Sequence, residues 1–324
     1  MKIIRRTRTQ LSFPEDWPGD EAIGHLTERA FGLFVWASTA VEFIRRAHYP
    51  ANRLKALLQG EPTSGAMTAL GALYKTALED AGKWDDHEFV EDFRAIMGIV
   101  LAARSSLSIS AIDLLLGIPS ANTIALLGCL LIQHPTVRVL HPSFADFITH
   151  TDPRTYPWVI DAPSRNFYLA LACLERLHLS LKQNMCNLTL SSNQLKGSLS
   201  QDVSYSCLYW IDHVCAVQAS AKEVWDRVEC FLTLHLLHWF EAMSISKRSI
   251  DTIKLLQDLE DWIQIHFPNQ PSELVHDAYR FTRAFSDTIA YHPPSVYFLI
   301  LPFAPVHSSH TKYFTTEMHF LRLW

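Results

Sequence analysis

The sequence predicts a mainly α-helical protein, and two observations carry that expectation. Apolar side chains recur three and four residues apart along most of the chain, the spacing of one helix face. Among 324 residues there are 11 glycines and 16 prolines, about a twelfth of the chain, too few for an all-β protein built on tight turns. The stretch Thr136 to Leu140 (TVRVL) alternates polar and β-branched side chains as a short strand would, an exception in a helical pattern. A chain of 37.0 kDa with 48% apolar residues holds two domains or one large helical one, and 19% charged residues excludes a disordered chain. The net charge of −5 is far from the basic balance of phosphate-binding surfaces, so nucleic acid is not the expected partner.

Taken in order, residues 14 to 20 (PEDWPGD) form a turn-rich lead-in, with Asp20 as N-cap of a helix reaching Ala47. Leu26, Ala30, Leu33, Phe34, Ala37, Val41 and Ile44 mark one face. Phe31, Val35, Trp36 and Phe43 mark the other, so this helix is expected to be buried nearly all round. Tyr49-Pro50 ends it, because a residue before proline is pushed out of the α region. A second helix from Gly65 to Ala81 carries Met67, Leu70, Tyr74, Ala77 and Leu78, with Gly82 as its stop, and a third from Asp86 to Ala103 buries Phe89, Phe93, Ile96, Met97 and Val100. Ser110-x-x-Asp113 has the form of a capping box, Gly117 stops that short helix, and Ser120 opens another expected to end at His134-Pro135. The TVRVL strand follows, and Ser143-x-x-Asp146 caps a closing helix through Ile148. Three helices, a strand and a closing helix in about 60 residues is winged-helix-like order.

Residues 151 to 166 hold three prolines and make a boundary. Helices are expected near 163 to 183, 202 to 218, 221 to 245, 250 to 266 and 271 to 291. From Tyr291 the chain is extended and proline-punctuated, and the Val296 to Val306 stretch is expected to expose an apolar surface that packs on a neighbouring domain. The resulting plan is an N-terminal tail (1–19), a helical subdomain (20–85), a winged-helix-like subdomain (86–150), an α-helical domain (151–291) and an extended tail (292–324).

Six cysteines (Cys129, Cys173, Cys186, Cys207, Cys215, Cys230) lie in apolar runs without a C-x-x-C pair, as expected of reduced thiols in a cytoplasmic protein. The longest apolar run, Ile124 to Ile132, is about half the length a bilayer span needs, and the N-terminus lacks the apolar region of a secretory signal. Gly60-Glu-Pro-Thr-Ser-Gly65 has the glycine spacing of a phosphate loop. Ala66 and Met67, however, stand where a lysine and a hydroxyl residue must supply charge and a magnesium ligand, so it is expected to be a simple connection. His235, His238 and Glu241 share a helix face at metal-ligand spacing, but the surrounding FLTLHLLHWF is a core-like run and no metal is expected. Asp212-His213 near Cys207 and Cys215 lacks any local signature of a thiol enzyme, and the aromatic groups Tyr205/Tyr209/Trp210 and Trp225/Phe231/Trp239/Phe240 have the spacing of core packing.

Several blocks resemble the stretch that follows the NTPase core in fungal NACHT proteins, the basidiomycete group whose chains continue into WD repeats. They are Trp17-Pro-Gly-Asp-Glu-Ala22, the run Leu26 to Ala40 (LTERAFGLFVWASTA), Leu140-His-Pro-Ser-Phe-Ala-Asp-Phe147, Tyr209-Trp-Ile-Asp-His213 and Leu301-Pro-Phe-Ala-Pro305. The resemblance spans about residues 14 to 306. It implies the helical and winged-helix subdomains and the helical linker of a signalling ATPase that acts in nonself recognition or cell death. The phosphate loop and acidic magnesium-binding strand expected before residue 14, and the propeller repeats expected after residue 306, do not occur here. It therefore implies a non-enzymatic internal segment with no cofactor. Its expected partners are proteins: the NTPase core and propeller, or homologous chains. In the wider NACHT family a His-x-Ser-Phe pattern supplies a histidine that contacts the bound nucleotide diphosphate in the closed state, which implies that role for His141 in a complete protein.

Two other classes compete. A winged-helix DNA-binding protein would need a basic recognition helix, and Ser120 to Ile132 (SANTIALLGCLLI) holds no Lys or Arg. A helical metal-dependent enzyme would reveal itself by stoichiometric zinc or iron.

Overall fold

The computed structural model describes residues 16–60, 63–150, 156–185, 198–269 and 272–297, and they are mainly α-helical. They divide into two compact units, Met1–Asp113 with Gly117–Ala162, and Leu114–Leu116 with Pro163–Trp324.

In the first unit, helix α1 (Asp20–Arg29) is followed by α2 (Phe34–Arg45), not continuous with it as the periodicity suggests. Phe31 (φ 46°) and Gly32 (φ 75°) take left-handed backbone between them, and the Leu33 N–H bonds back to Ala30 O at 2.7 Å, closing a turn. The apolar run conceals this break because both helices keep apolar faces. One result is that Phe34, expected in the core, is 85% exposed, whereas Trp36 is buried and donates from Nε1 to Ala69 O at 3.1 Å. Pro50 does more than end a helix. It is the first residue of α3 (Pro50–Gln59), where its missing N–H costs nothing, an element the periodicity does not reveal. Asp20 is likewise the first helical residue, with Gly19 at the cap.

Helix α4 (Ala66–Ala81) packs on α2 and α3, and α5 (His87–Ala102) starts where the Asp86 carboxylate accepts from the Glu88 N–H, close to the predicted bounds. The cap of α6 (Ile109–Leu116) is Ser108, whose Oγ accepts from the Ala111 N–H, not the predicted Ser110. Asp113 instead bonds Ser120, accepting from its N–H at 2.7 Å and its hydroxyl at 2.6 Å. Gly117, at φ 71°, ends α6 as expected. Helix α7 (Ala121–Leu126) is six residues long and does not reach His134. The apolar residues after it form β1 (Leu131–Ile132), which pairs antiparallel with β2 (Arg138–Val139) in the register Leu131↔Val139 and Ile132↔Arg138. Periodicity cannot separate a short buried strand from a buried helical turn. Leu107 makes an isolated antiparallel bridge to Val137. Helix α8 (Pro142–His150) leaves β2 and packs against α4.

The second unit comprises α9 (Ala162–Ser180), α10 (Gln201–Cys215), α11 (Ala221–Ile245), α12 (Asp251–His266) and α13 (Glu273–Tyr291), within a few residues of the predicted spans. Helix α11 is its axis. From Leu236 to Ile245 all but one residue are buried, and α10, α12 and α13 all pack against it. Its Trp239 meets Trp210 of α10 edge-on at 5.5 Å, and Phe240 stacks on Phe281 of α13 at 5.9 Å. All residues of the two predicted aromatic groups but half-buried Tyr209 are therefore core. Val296 and Tyr297, the described start of the predicted exposed tail, are buried in this unit, while 298–306, the block Leu301–Pro305, the N-terminal basic run and Cys186 lie outside the described residues.

Candidate functional site

His141 occupies the corner where β2 gives way to α8, fixed on one side by the hairpin and on the other by the first turn of the helix. Its Nδ1 accepts from the Ser143 N–H at 3.2 Å and lies 2.7 Å from Ser143 Oγ. The same hydroxyl lies 2.8 Å from Tyr74 Oη of α4. A backbone N–H can only donate, so Nδ1 is the unprotonated nitrogen and the ring proton sits on Nε2. Tyr74, whose hydroxyl burial holds above its ordinary pKa, then donates to Ser143 Oγ, which donates on to His141 Nδ1. His141, not the predicted Ser143, thus caps α8. Capping fixes the tautomer, and the exposed ring carries an Nε2–H able to donate to a phosphate oxygen. The structural role and the role implied by the resemblance use opposite nitrogens and do not compete.

The other sequence candidates resolve geometrically. Gly60 follows α3 and Gly65 precedes α4, as in a simple connection, and Glu61 and Pro62 between them lie outside the described residues. Arg29 Nη2 donates to Leu58 O at 3.0 Å and Gly60 O at 2.6 Å, placing a cation on the carbonyl end of α3. His235 and His238 face each other at 3.3 Å (Nδ1 to Nδ1), but Glu241 is directed elsewhere, accepting from Tyr297 Oη at 2.5 Å and from the N–H groups of Asn184 (2.9 Å) and Met185 (3.2 Å). Among the described residues no three His, Cys, Asp or Glu side chains are arranged to hold a metal ion.

His213 is fully buried between Tyr205 Oη (2.7 Å from Nε2) and Asn166 Oδ1 (2.9 Å from Nδ1). The amide oxygen can only accept, so Nδ1 carries the proton and Tyr205 donates to Nε2. This is a satisfied core histidine and not a base directed at a thiol. Burial holds the cysteines protonated: Cys129 is pushed up to about 11, Cys173 and Cys215 to about 12, and Cys207 higher. Five free cysteines are described, and Cys230 is exposed where a core thiol is expected.

Sequence reasoning missed three pairings: His178 with His235, Asn166 with His213, and Tyr297 with Glu241. Their partners are 57, 47 and 56 residues apart, and spacing on one element carries no signal for them.

A two-unit α-helical protein with a histidine-capped strand-to-helix corner is the class these observations define, and no described helix is long and apolar enough to cross a membrane. The chain is similar to the vegetative incompatibility protein HET-E-1 of Podospora anserina, with 24% identity over 329 residues that cover 90% of this chain and 24% of that protein. It therefore spans about a quarter of that relative's length. No protein-family profile matches the chain, and no solved structure matches it.

Proposed function

We propose that this chain acts as the regulatory and protein-interaction segment of a NACHT-type fungal signalling NTPase, in nonself recognition or cell-death signalling. The observation that carries it is the similarity to the incompatibility protein along 90% of the chain. Residues 86–150 are read as its winged-helix subdomain, which the order α5, bridged Leu107, α6, α7, β1, β2 and the antiparallel Leu107↔Val137 bridge support. DNA recognition is disfavoured because α7 (ANTIAL) carries no cation for a phosphate or base edge. The segment is read as non-enzymatic and cytoplasmic. Its proposed partners are the NTPase core and propeller of the complete protein, or homologous chains.

The first test is nucleotide binding. Calorimetry on this chain is expected to detect no ATP or ADP binding at micromolar nucleotide, because no lysine stands in the Gly60–Gly65 loop to meet a phosphate. Micromolar binding would overturn the assignment. The second is His141→Leu in a longer relative that carries the same block. Leucine keeps bulk but removes both the α8 cap and the outward donor. A charge-assisted hydrogen bond is worth about 1.5 to 3 kcal/mol, so ADP should dissociate roughly tenfold to hundredfold faster. His141→Asn keeps a cap and serves as control: fast dissociation in both variants assigns the effect to the lost Nε2 donor, and wild-type dissociation in His141→Leu rejects it.

A further inference from the structure

We propose that His178, His235 and His238, joined in line between α9 and α11, form a proton-counting clasp that accommodates one added proton and opens on the second. His178 Nδ1 lies 3.0 Å from His235 Nε2, and His235 Nδ1 lies 3.3 Å from His238 Nδ1. Four ring nitrogens thus face each other in two contacts, and each contact needs one hydrogen between its nitrogens. Three neutral imidazoles carry three ring hydrogens. Two fill the contacts and the third sits on the outward Nε2 of either His178 or His238.

One added proton fills the remaining outward nitrogen and leaves both contacts intact. A second has no outward nitrogen left and must land on a contact nitrogen, which sets two N–H groups against each other at about hydrogen-bond distance and puts two like charges on neighbouring rings. His235, in the middle, has both nitrogens committed and is the ring that resists protonation.

The surroundings agree with the count. The groups facing His235 are His178 from α9 and His238 from its own helix, with the Phe231 ring stacked beside it at 5.8 Å. Burial, then these two neighbours, push His235 from 6.5 down to about 4, and burial also lowers His238. Among the described residues, no carboxylate offsets the charge on His235. Glu241, one turn along α11, is held by Tyr297, Asn184 and Met185, and the Tyr297 ring packs 6.3 Å from His238. Asn184 and Met185 follow closely after α9, which ends at Ser180, so opening the His178 contact loosens the helix end that leads into the Glu241 tie.

The test is a titration of the full chain, labelled with 15N-histidine and read by NMR from pH 7.5 to 4. In the wild type His235 is expected to stay neutral until well below 6.5, after a first proton has been taken up on an outer ring. His178→Phe frees His235 Nε2 and removes one neighbouring charge, so the His235 midpoint should rise by about half a pH unit, roughly a threefold gain in proton affinity. His178→Arg presents only N–H donors and a fixed positive charge and should keep the midpoint low, which separates the effect from simple unfolding. A His235 midpoint near 6.5 in the wild type, or one that His178→Phe leaves unmoved, overturns the clasp.

Discussion

Replacing Trp239 by alanine is expected to lower the stability of the second unit by about 3 to 5 kcal/mol, which leaves about 2 kcal/mol or less where the total lies near the low end of the usual 5 to 15 kcal/mol range. Trp239 is fully buried and meets Trp210 edge-on. Its Nε1 donates to Cys207 O at 2.9 Å, linking α11 to α10. Alanine opens a cavity the size of an indole in the axis of the unit and removes the indole's added hydrogen bond to a carbonyl inside α10. Trp239→Phe keeps most of the ring contact and should recover more than half of the loss. Trp210 supplies an internal comparison: its Nε1 has no hydrogen-bond partner among the described residues, so Trp210→Phe removes packing without breaking a hydrogen bond and should cost less than Trp239→Phe. Urea unfolding followed by circular dichroism reads all three. A change below about 1 kcal/mol for Trp239→Ala would show that α11 is not the axis of the core.

The second large effect is expected at Arg176. The Asp202 carboxylate, at the first turn of α10, is 2% exposed and accepts from Arg176 Nε of α9 at 2.5 Å. Methionine at 176 keeps the stem of the arginine but leaves a buried negative charge without its counterion, a loss of about 3 to 5 kcal/mol. Removing both charges should do less harm than removing one, since a buried pair replaced by apolar groups of similar volume is often neutral. Arg176→Met with Asp202→Leu is therefore expected to be more stable than Arg176→Met alone. Equal stability of the single variant and the wild type would mean that the pair is solvated in solution.

The later helices were legible because each is a long periodic apolar run between punctuating residues: α9 to α13 fall within a few residues of their expected bounds, and Ser272 caps α13 by accepting from the Val275 N–H at 3.3 Å. The earlier part was less legible where two short elements share an unbroken apolar pattern. The break at Phe31–Gly32, the start of α3 at Pro50 and the turn from α7 into β1 all depend on backbone choices that apolar spacing does not encode. His141 was singled out by the resemblance of its His-x-Ser-Phe block, and its capping bond was not legible, because Ser143 has the more familiar cap chemistry.

What the sequence determined by itself, then, is the helical class and the burial of all the aromatic residues of α10 and α11 but half-buried Tyr209, which follow from local spacing and side-chain type, whereas His141 was singled out only by the family resemblance. Only the tertiary structure decided which polar groups meet. His178 reaches His235 across 57 residues, Asn166 reaches His213 across 47 and Tyr297 reaches Glu241 across 56. A buried polar group must find a partner to offset its desolvation, but any of several distant residues could serve, and it is the packing of one helix on another that selects among them.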